Sequence, residues 1–399
     1  MKIIVAQYGA RRRYLIPQIF FNRGLLLALY TDSYRGSWLG KIAKFLKKIG
    51  YKNSSVERLV RRNPQLPSQK IKANDWLQLR LFKYELLGES PNKTIEEIFE
   101  GSSKKFIQWG VQNADWLYAM YIENFEFTKY AKENRVKVIA DIYENPYIFR
   151  ELADEIDNNP EFSCIKHLKR EHLAQAGLRL KYLDNLLAVA DKYIIPSEYV
   201  KDALSKSPTF DANKVNIVPY ISSTLNDKYD NNPIEGRIIW VGNDPVRKGL
   251  VYCLRAINEL KKEYPNIDFR VIGPIPSEVA ESPYFESLNF IGYLTKEELL
   301  NEYRLADMFV FPTLAEGFAG SLLEAASYGV PIITTLASGF SKDFPGIFID
   351  YKDSDAIVRS ITKLLKDREL RNKISQDIYE YSHGVDIKSF GDKLTKLFD

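Results

Sequence analysis

Short hydrophobic runs alternate with longer amphipathic segments along most of the chain. Runs such as KIIVAQY, LLLALYTD and VKVIADIYE are flanked by glycine or polar residues, which predicts short buried strands. The segments between them, including NFEFTKYAKEN and the stretch from Phe162 to about Ala190, have the pattern of helices. Strands that alternate with helices predict an α/β fold, in which parallel sheets are covered by helices on both faces.

The alternation is interrupted by residues 222–236, which are rich in Asn, Asp and other turn formers and predict a linker. Strands and helices resume at RIIWVG. We therefore expect one α/β domain over residues 1–221 and a second over residues 237–380, as the length of 399 residues also suggests. Ligands of such sheets bind beyond the carboxyl ends of the strands, so functional residues are expected in the loops after strands.

Composition narrows the class of protein. A hydrophobic content of 45% is typical of a globular protein with large cores. Cys164 and Cys253 are far apart and form no CxxC motif, which favours a reducing, cytoplasmic compartment over a disulfide framework. No apolar run approaches the roughly 20 residues needed to span a bilayer. The opening MKIIVAQYGARRR does not have the charge order of a signal peptide.

Positive charge is concentrated between Arg35 and Arg62, where nine Lys or Arg residues accompany one acid, Glu57. Within this region apolar residues recur at helical spacing with lysines between them: Trp38, Leu39, Ile42, Phe45, Leu46 and Ile49 against Lys41, Lys44, Lys47, Lys48 and Lys52. Such a helix suits an anionic membrane surface. It equally suits a helix whose apolar face packs on its own domain. Nucleic acid is not expected as a partner, because no recognition motif accompanies the charge.

The stretch FPTLAEGFAGSLLEAASYGVPIITT predicts a strand, a glycine-containing turn and a helix that begins near Gly320. The amino end of a helix attracts phosphate, and small residues let the backbone approach it. Glu316 and Glu324 would repel that phosphate unless they reach neutral hydroxyl groups on either side, as a sugar nucleotide would provide. The donor site predicted here comprises Glu316, Gly317, Phe318, Ala319, Gly320, Ser321, Leu322 and Glu324. Alternatively, Glu324 complements the helix dipole and Glu316 is solvated.

A second loop, VGNDPVRKG, ends in two adjacent cations, Arg247 and Lys248, at a predicted helix start. Cations at this place would stabilise the negative charge that grows on a departing diphosphate. Gly242 and Asn243 of the same loop, with Gly273 and Tyr293 of the next two, complete the predicted donor site. The alternative is a pair of solvated cations.

The segment EGFAGSLLEAASYGVP resembles the E-x7-E signature of the retaining GT-B glycosyltransferases of family 4. RLADMFVFPT, GVPIITT and IIWVGNDPVRKG are also similar to that family, and the resemblance extends from about Leu187 to Ser382. It implies two Rossmann-like domains that face each other across a cleft, with the donor in the second and the acceptor in the first. It further implies that residues 381–399 return to the first domain, and that Glu316 and Lys248 serve the reaction without a metal or other cofactor.

The same resemblance implies a function. The expected reaction moves a sugar from a nucleotide diphosphate to an acceptor hydroxyl with retention of configuration, by front-side attack. The expected acceptor is a glycan or lipid-linked glycan of cell-surface polysaccharide synthesis, at the cytoplasmic face of the membrane. A GT-B epimerase or hydrolase that acts on the sugar nucleotide alone, or a non-catalytic binding protein, remains as an alternative.

The chain departs from the family pattern in three places. Asn243 stands where the family commonly has an arginine, so Arg247 is expected to replace it. Gly9 matches the family's glycine loop, which faces the donor phosphates, so it is expected to bind the donor although the paired glycine is absent. Arg11, Arg12 and Arg13 follow it, either to meet a phosphorylated or lipid-phosphate acceptor or to lie in solvent. A histidine that faces the reacting sugar in many relatives is absent. Asp141, or else Glu144, is the predicted replacement.

Two further patterns suggest metal sites only superficially. Asp353 and Asp355 form a DxD sequence directly before a predicted helix, which favours a role as helix N-cap. Cys164, His167 and His172 lack the i, i+4 spacing of a ligand pair on one helix face. No metal site is therefore expected.

Overall fold

The fold contains two parallel β-sheets. The structure, a computed structural model, describes residues 1–80, 91–121, 123–221, 225–384 and 386–398. The first sheet has the strand order β3-β2-β1-β4-β5-β6-β7, and the second has the order β10-β9-β8-β11-β12-β13. The strands are β1 (Ile3–Ala6), β2 (Leu26–Thr31), β3 (Ile71–Ala73), β4 (Trp116–Met120), β5 (Lys137–Asp141), β6 (Lys192–Ile195), β7 (Val215–Ile217), β8 (Arg237–Val241), β9 (Asp268–Ile272), β10 (Asn289–Gly292), β11 (Met308–Phe311), β12 (Ile332–Thr334) and β13 (Ile347–Phe348).

Helices connect these strands and cover the sheets. The helices that lie wholly within the described residues include α1 (Leu15–Asn22), α2 (Trp38–Lys48), α3 (Ser54–Arg61), α4 (Pro91–Trp109), α5 (Phe125–Glu133), α6 (Ile148–Asn158), α7 (Leu168–Val189), α8 (Glu198–Leu204), α9 (Leu250–Leu260), α10 (Ser277–Ala280), α11 (Lys296–Leu305), α12 (Gly320–Ala326), α13 (Ser354–Lys366), α14 (Arg368–His383) and α15 (Ile387–Lys396). In the described part of the chain, no helix has both the length and the apolar character needed to cross a membrane.

The central strands of both sheets are apolar on both faces because helices cover each face. Every residue of β1, β4 and β11 is buried. In the first sheet β1 pairs with both β2 and β4, and in the second β8 pairs with both β9 and β11, in each case in parallel. The prediction of two Rossmann-like α/β domains is confirmed, and the carboxyl ends of these strands carry the loops singled out in the sequence.

Some elements escaped the sequence prediction. Strand β3 is a short, half-buried edge strand with a lysine at its centre, so it lacks a hydrophobic signal. The helix expected from Phe162 begins later, at Leu168, because a separate 3-10 turn occupies Pro160–Ile165. Helix α3 was not expected; Asn53 caps it by accepting hydrogen bonds from the first backbone amides.

Helix α6 lies before the predicted linker in sequence, yet its apolar face packs with the second domain. Ile148, Leu152 and Ile156 belong to the same core cluster as α9. The hydroxyl of Tyr252 on α9 donates a hydrogen bond to the buried carboxylate of Glu155. The sequence boundary at residue 221 therefore does not separate the two cores. Residues 222–224 of the predicted linker lie outside the described residues, and residues 225–236 contain neither helix nor strand.

The chain ends on the first domain. Phe390 and Leu394 of α15 are buried in the cluster that contains Phe20 of α1. The ring of Phe398 packs edge-on against the ring of Phe20, with 5.2 Å between the ring centres. Arg23 forms an ion pair of 2.6 Å with Asp392. Helix α15 thus supplies part of the first domain's core, although it follows the second domain along the chain. Residues 385 and 399 lie outside the described residues.

Helix α2 has two apolar sides with different surroundings. Leu39 and Ala43 are buried against Val56 and Leu59 of α3. On the other side Trp38, Ile42, Phe45 and Ile49 are between 45% and 62% exposed, and Trp76, which is 70% exposed, contacts the ring of Trp38. One side of the amphipathic helix therefore packs on its own domain, and the other side faces solvent.

Candidate functional site

The glycine turn between β11 and α12 lies directly against the first domain. A Cβ atom added at Gly317 would lie 1.7 Å from the carbonyl oxygen of Tyr143. The hydroxyl of Ser197 donates a 2.8 Å hydrogen bond to the carbonyl of Gly317. Only glycine permits so close an approach of the two backbones, and the turn consequently forms part of the contact between the two domains.

Glu316, at the start of this turn, pairs with both cations of the VGNDPVRKG loop. Its Oε1 lies 2.6 Å from Nη1 of Arg247 and 2.7 Å from Nζ of Lys248. The carboxylate is only 15% exposed, so these charge-assisted bonds are little weakened by solvent. The structure thus brings together three residues that the sequence patterns assigned to the same site.

Asp244 holds Arg247 in place and was not identified from the sequence. It accepts hydrogen bonds from the backbone amide and from Nε of Arg247, at 3.0 and 3.2 Å. Arg247 also donates to the carbonyl of Ala315 at 3.0 Å. The sequence did offer a signal for Asp244: this acid lies three residues before Arg247 in the same loop after a strand, where functional residues are expected. Asp244 and Glu316 together balance the charges of Arg247 and Lys248.

The side chain of Lys248 is enclosed by its surroundings. A Cβ atom at Gly242 would lie 2.2 Å from Cδ of Lys248, so the lysine lies across this glycine. Its Nζ lies 4.5 Å from the centre of the Phe311 ring. Burial lowers the pKa of Lys248, and the carboxylate of Glu316 opposes this effect only in part.

The predicted phosphate site is the amino end of α12. Ala319 is the N-cap and offers no side-chain acceptor. A Cβ at Gly320 would meet no atom within 4 Å, so the space beside it is open. Ser321 and Glu324 are partly exposed, whereas Leu322 is fully buried in the second domain's core. Leu322 can therefore contribute only its backbone to the predicted phosphate site. The ring of Phe318 stacks on Phe340 at 4.4 Å.

The other residues predicted to bind the donor lie in two different places: Gly273 and Asn243 lie next to Gly242, and Tyr293 lines a separate cavity. Gly273, with φ +130°, packs against Gly242: a Cβ there would lie 1.9 Å from the carbonyl oxygen of Gly242. Asn243 is exposed next to them. Tyr293, which is 68% exposed, instead lines a cavity together with residues of the first domain.

The three arginines that follow Gly9 have three different surroundings. Arg11 forms a 2.6 Å ion pair with the fully buried Glu123, and Arg12 forms a 2.8 Å ion pair with the fully buried Asp141. Arg13 is exposed. Arg12, Arg13 and Tyr14 have successive φ values of 46°, 51° and 63°. This is the left-handed backbone conformation, which residues other than glycine adopt at a cost in free energy. This backbone directs Arg12 inward and Arg13 outward.

Asp141 lies in a closed hydrogen-bond network. Besides the ion pair with Arg12, it accepts hydrogen bonds from the hydroxyls of Tyr118, at 2.5 Å, and Tyr220, at 3.1 Å. The guanidinium of Arg12 lies 3.5 Å from the centre of the Tyr220 ring. Asp141 therefore holds Arg12 in place. Glu144, the other candidate for the position of the family histidine, is paired with Arg179 at 2.8 Å.

Within the described residues, no group of three or more His, Cys, Asp and Glu side chains is placed to hold a metal ion. The Asp353 carboxylate accepts a hydrogen bond from the amide of Ala356 at 2.7 Å. The prediction that Asp353 is a helix N-cap is therefore confirmed.

Comparisons with known proteins agree with this architecture. Residues 223–381 match the family model described as Glycosyl transferases group 1. Over 211 residues the chain is 27% identical to the capsular polysaccharide biosynthesis glycosyltransferase CapM of Staphylococcus aureus, which covers 47% of this chain and 56% of CapM. It is 26% identical over 152 residues to TuaC, a putative teichuronic acid biosynthesis glycosyltransferase of Bacillus subtilis, covering 37% of this chain and 38% of TuaC. The chain thus matches about half, or less, of the length of these relatives.

Solved structures resemble the whole chain. Sucrose-phosphate synthase from Thermosynechococcus elongatus superposes with a TM-score of 0.63 at 14% identity, and TarM with 0.65 at 11%; each match covers 100% of this chain and 98% of the other. HepE of Anabaena, solved with UDP and glucose, superposes with 0.56 at 11% identity and covers 100% of this chain and 99% of its own. The chain therefore has the GT-B fold of two Rossmann-like domains, and its residues 223–381 form a domain similar to the group 1 glycosyltransferases.

Proposed function

We propose that this protein is a retaining glycosyltransferase of family 4 type, which moves a sugar from a nucleotide diphosphate to an acceptor hydroxyl. The observation that carries the proposal is the convergence of Arg247, Lys248 and Glu316 beside the amino end of α12, against the first domain. The cations and the open amino end of a helix can bind a diphosphate, and the carboxylate can accept hydrogen bonds from the hydroxyl groups of a sugar.

In the structure the carboxylate of Glu316 is paired with both cations. A diphosphate that enters the site offers Arg247 and Lys248 stronger acceptors, since it carries more charge than one carboxylate. Glu316 is then released to accept hydrogen bonds from hydroxyls of the sugar, and Glu324 from those of the ribose. As the bond to the diphosphate breaks, negative charge grows next to Lys248 and Arg247, which lowers the barrier. Retention follows from front-side attack, in which the leaving phosphate accepts the proton of the acceptor hydroxyl. No metal or other cofactor is required in this scheme.

The proposed acceptor is a glycan or a lipid-linked glycan of cell-surface polysaccharide synthesis. CapM and TuaC are named for the synthesis of such polymers, which supports this class. The exposed side of α2 supports a place at the cytoplasmic face of a membrane. There Trp38 and Phe45 would enter the lipid interface while Lys41, Lys44, Lys47 and Lys48 meet anionic headgroups.

The test is a thermal-shift screen of the full chain against nucleoside diphosphate sugars with different bases and sugars, in the presence of EDTA. A selective donor should raise the melting temperature because it binds the folded state only. The selected donor is then incubated with and without membrane-derived or synthetic glycan acceptors. Transfer with retained configuration supports the proposal. Rapid turnover of donor alone supports the epimerase or hydrolase alternative, and failure of every donor to bind contradicts the proposal.

A further inference from the structure

A cavity of about 740 Å³ lies between the first domain and the loop that carries Tyr293, one of the predicted donor-site residues. Its volume is in the range of small-molecule binding sites. The lining residues are Ala10, Arg13, Tyr14, Glu57, Arg58, Arg61, Arg62, Asn63, Gln65 and Tyr293. The cavity is therefore lined by both the segment after Gly9 and helix α3. No motif in the sequence indicated that these two segments lie together.

The lining carries a positive charge, with four arginines and one acid. Arg62 is neutralised by an ion pair with the buried carboxylate of Asp32. Arg13, Arg58 and Arg61 are exposed, and the acid that accompanies them in the lining is Glu57, 3.5 Å from Arg61. Guanidinium groups repel one another, so three of them around one cavity indicate an anionic ligand, and their planar donors match phosphoryl oxygens in bidentate geometry.

The backbone supports a binding role. Arg13, Tyr14 and Gln65 line the cavity, and all three have the left-handed conformation, with φ between 51° and 63°. Strained backbone of this kind persists where the surrounding structure enforces it, and it is concentrated at ligand clamps. Next to Arg13, the ion pair between Arg12 and Asp141 anchors the chain on its inner side, and Arg13 lines the cavity.

We infer that this cavity binds a phosphoryl group of the acceptor through Arg13, Arg58 and Arg61. The assignment to the acceptor rests on the transferase function proposed above, because the donor diphosphate is assigned to Gly320 and Lys248 in the second domain. Arg11 and Arg12, the neighbours of Arg13 in the sequence, are engaged by Glu123 and Asp141 and do not bind the ligand. The acceptor hydroxyl is thereby presented across the cleft from the donor, with Tyr293 at the second-domain side of the cavity.

The inference is tested by calorimetric titration of the full chain carrying Lys248→Ala with inorganic pyrophosphate, because the donor site proposed above would also bind a diphosphate. Arg58→Gln with Arg61→Gln should weaken binding by about tenfold or more, since each substitution removes charge-assisted hydrogen bonds. A control with Lys262→Gln and Arg359→Gln in the same background removes the same charge from exposed positions of the second domain and should bind as the parent protein does. If the double arginine variant fails to fold, Arg13→Asn replaces it, because Asn tolerates the left-handed backbone. Unchanged affinity in the arginine variants overturns the inference.

Two further titrations separate this site from the donor site. Lys248→Ala should retain pyrophosphate binding in the cavity, and the double arginine variant should retain the affinity of the wild type for the nucleotide sugar found by screening. Loss of nucleotide-sugar affinity equal to the loss of pyrophosphate affinity assigns the cavity to the donor and overturns the inference. If no nucleotide sugar binds the wild type, the transferase proposal fails while the pyrophosphate result still decides whether the cavity binds phosphoryl groups.

The source of the phosphoryl group is identified with farnesyl diphosphate below its micellar concentration. Binding tighter than that of pyrophosphate, and weakened by the same two arginine substitutions, supports a lipid-linked acceptor. Equal affinities for the two ligands support a water-soluble phosphorylated acceptor.

Discussion

The ammonium group of Lys248 lies 2.7 Å from Oε1 of Glu316, although 68 residues separate them in the chain. The loop after β8 and the turn after β11 bring them together, since these two strands are neighbours in the second sheet. Two charged side chains from separate sequence motifs thus form one ion pair.

Replacement of Lys248 by alanine should lower kcat by about 100-fold, because one preorganised donor to the leaving diphosphate is lost. The fold should be retained, since Arg247 still pairs with Glu316 at 2.6 Å. Steady-state kinetics with the screened donor measures the effect, and the exposed Lys262→Ala serves as control. An unchanged rate in Lys248→Ala would remove Lys248 from the active site.

The lowered pKa of Lys248 predicts an alkaline limit to activity. Because burial favours the neutral amine, the positive charge is lost at a pH below the usual lysine range of about 10.4. A profile of kcat/KM against pH should therefore fall earlier than an ordinary lysine allows. Lys248→Arg should move this fall to higher pH, since a guanidinium stays protonated. Identical alkaline limbs in the two proteins would show that another group titrates.

Asp141 is predicted to act as a positioning residue for Arg12. Asp141→Asn should lower the free energy of unfolding by about 3 kcal/mol, because it leaves the charge of Arg12 uncompensated in the interior. Asp392→Asn, which breaks the exposed pair with Arg23, should cost less than about 1 kcal/mol. Urea unfolding measures both. A variant with normal stability and no transfer activity would instead make Asp141 a catalytic residue.

Gly317 and Gly320 should respond differently to alanine. Gly317→Ala forces a Cβ onto the carbonyl oxygen of Tyr143 and should destabilise the protein by about 2 kcal/mol. Gly320→Ala meets no atom within 4 Å and should leave stability unchanged. If a phosphate binds there, however, the new methyl group should weaken donor affinity. Thermal unfolding and donor titration distinguish the two effects, and unaffected donor binding in Gly320→Ala would contradict the phosphate site.

The exposed side of α2 should bind anionic membranes. Trp38→Ser with Phe45→Ser should reduce binding to vesicles of phosphatidylglycerol and phosphatidylcholine by about tenfold or more, since two large apolar side chains no longer enter the interface. Stability should be nearly unchanged, because both side chains are exposed. Tyr284→Ser, at an exposed aromatic position of the second domain, is the control. Vesicle cosedimentation that is equal for all three proteins would exclude α2 as the contact surface.

Hydrophobic periodicity was sufficient to predict the α/β class, because a strand covered on both faces must be apolar throughout and a covering helix must be amphipathic. Elements with a weak or ambiguous pattern were not predictable in this way. The half-buried β3 lacks the pattern, and α6 has the pattern of a helix but no local signal of the domain on which it packs. That Glu316 and Lys248 lie close together could be predicted, since loops after parallel strands meet at one edge of a sheet.

Which charged groups are available to a ligand was decided by the tertiary structure. Arg11, Arg12 and Arg13 are equivalent in the sequence, but partners more than 100 residues away engage two of them in ion pairs with Glu123 and Asp141, whereas Arg13 points to solvent. The contribution of α3 to the candidate acceptor site likewise depends on tertiary contacts, because no local pattern in the sequence connects α3 with Arg13. Side-chain chemistry is encoded locally, whereas burial and pairing depend on contacts between distant parts of the chain.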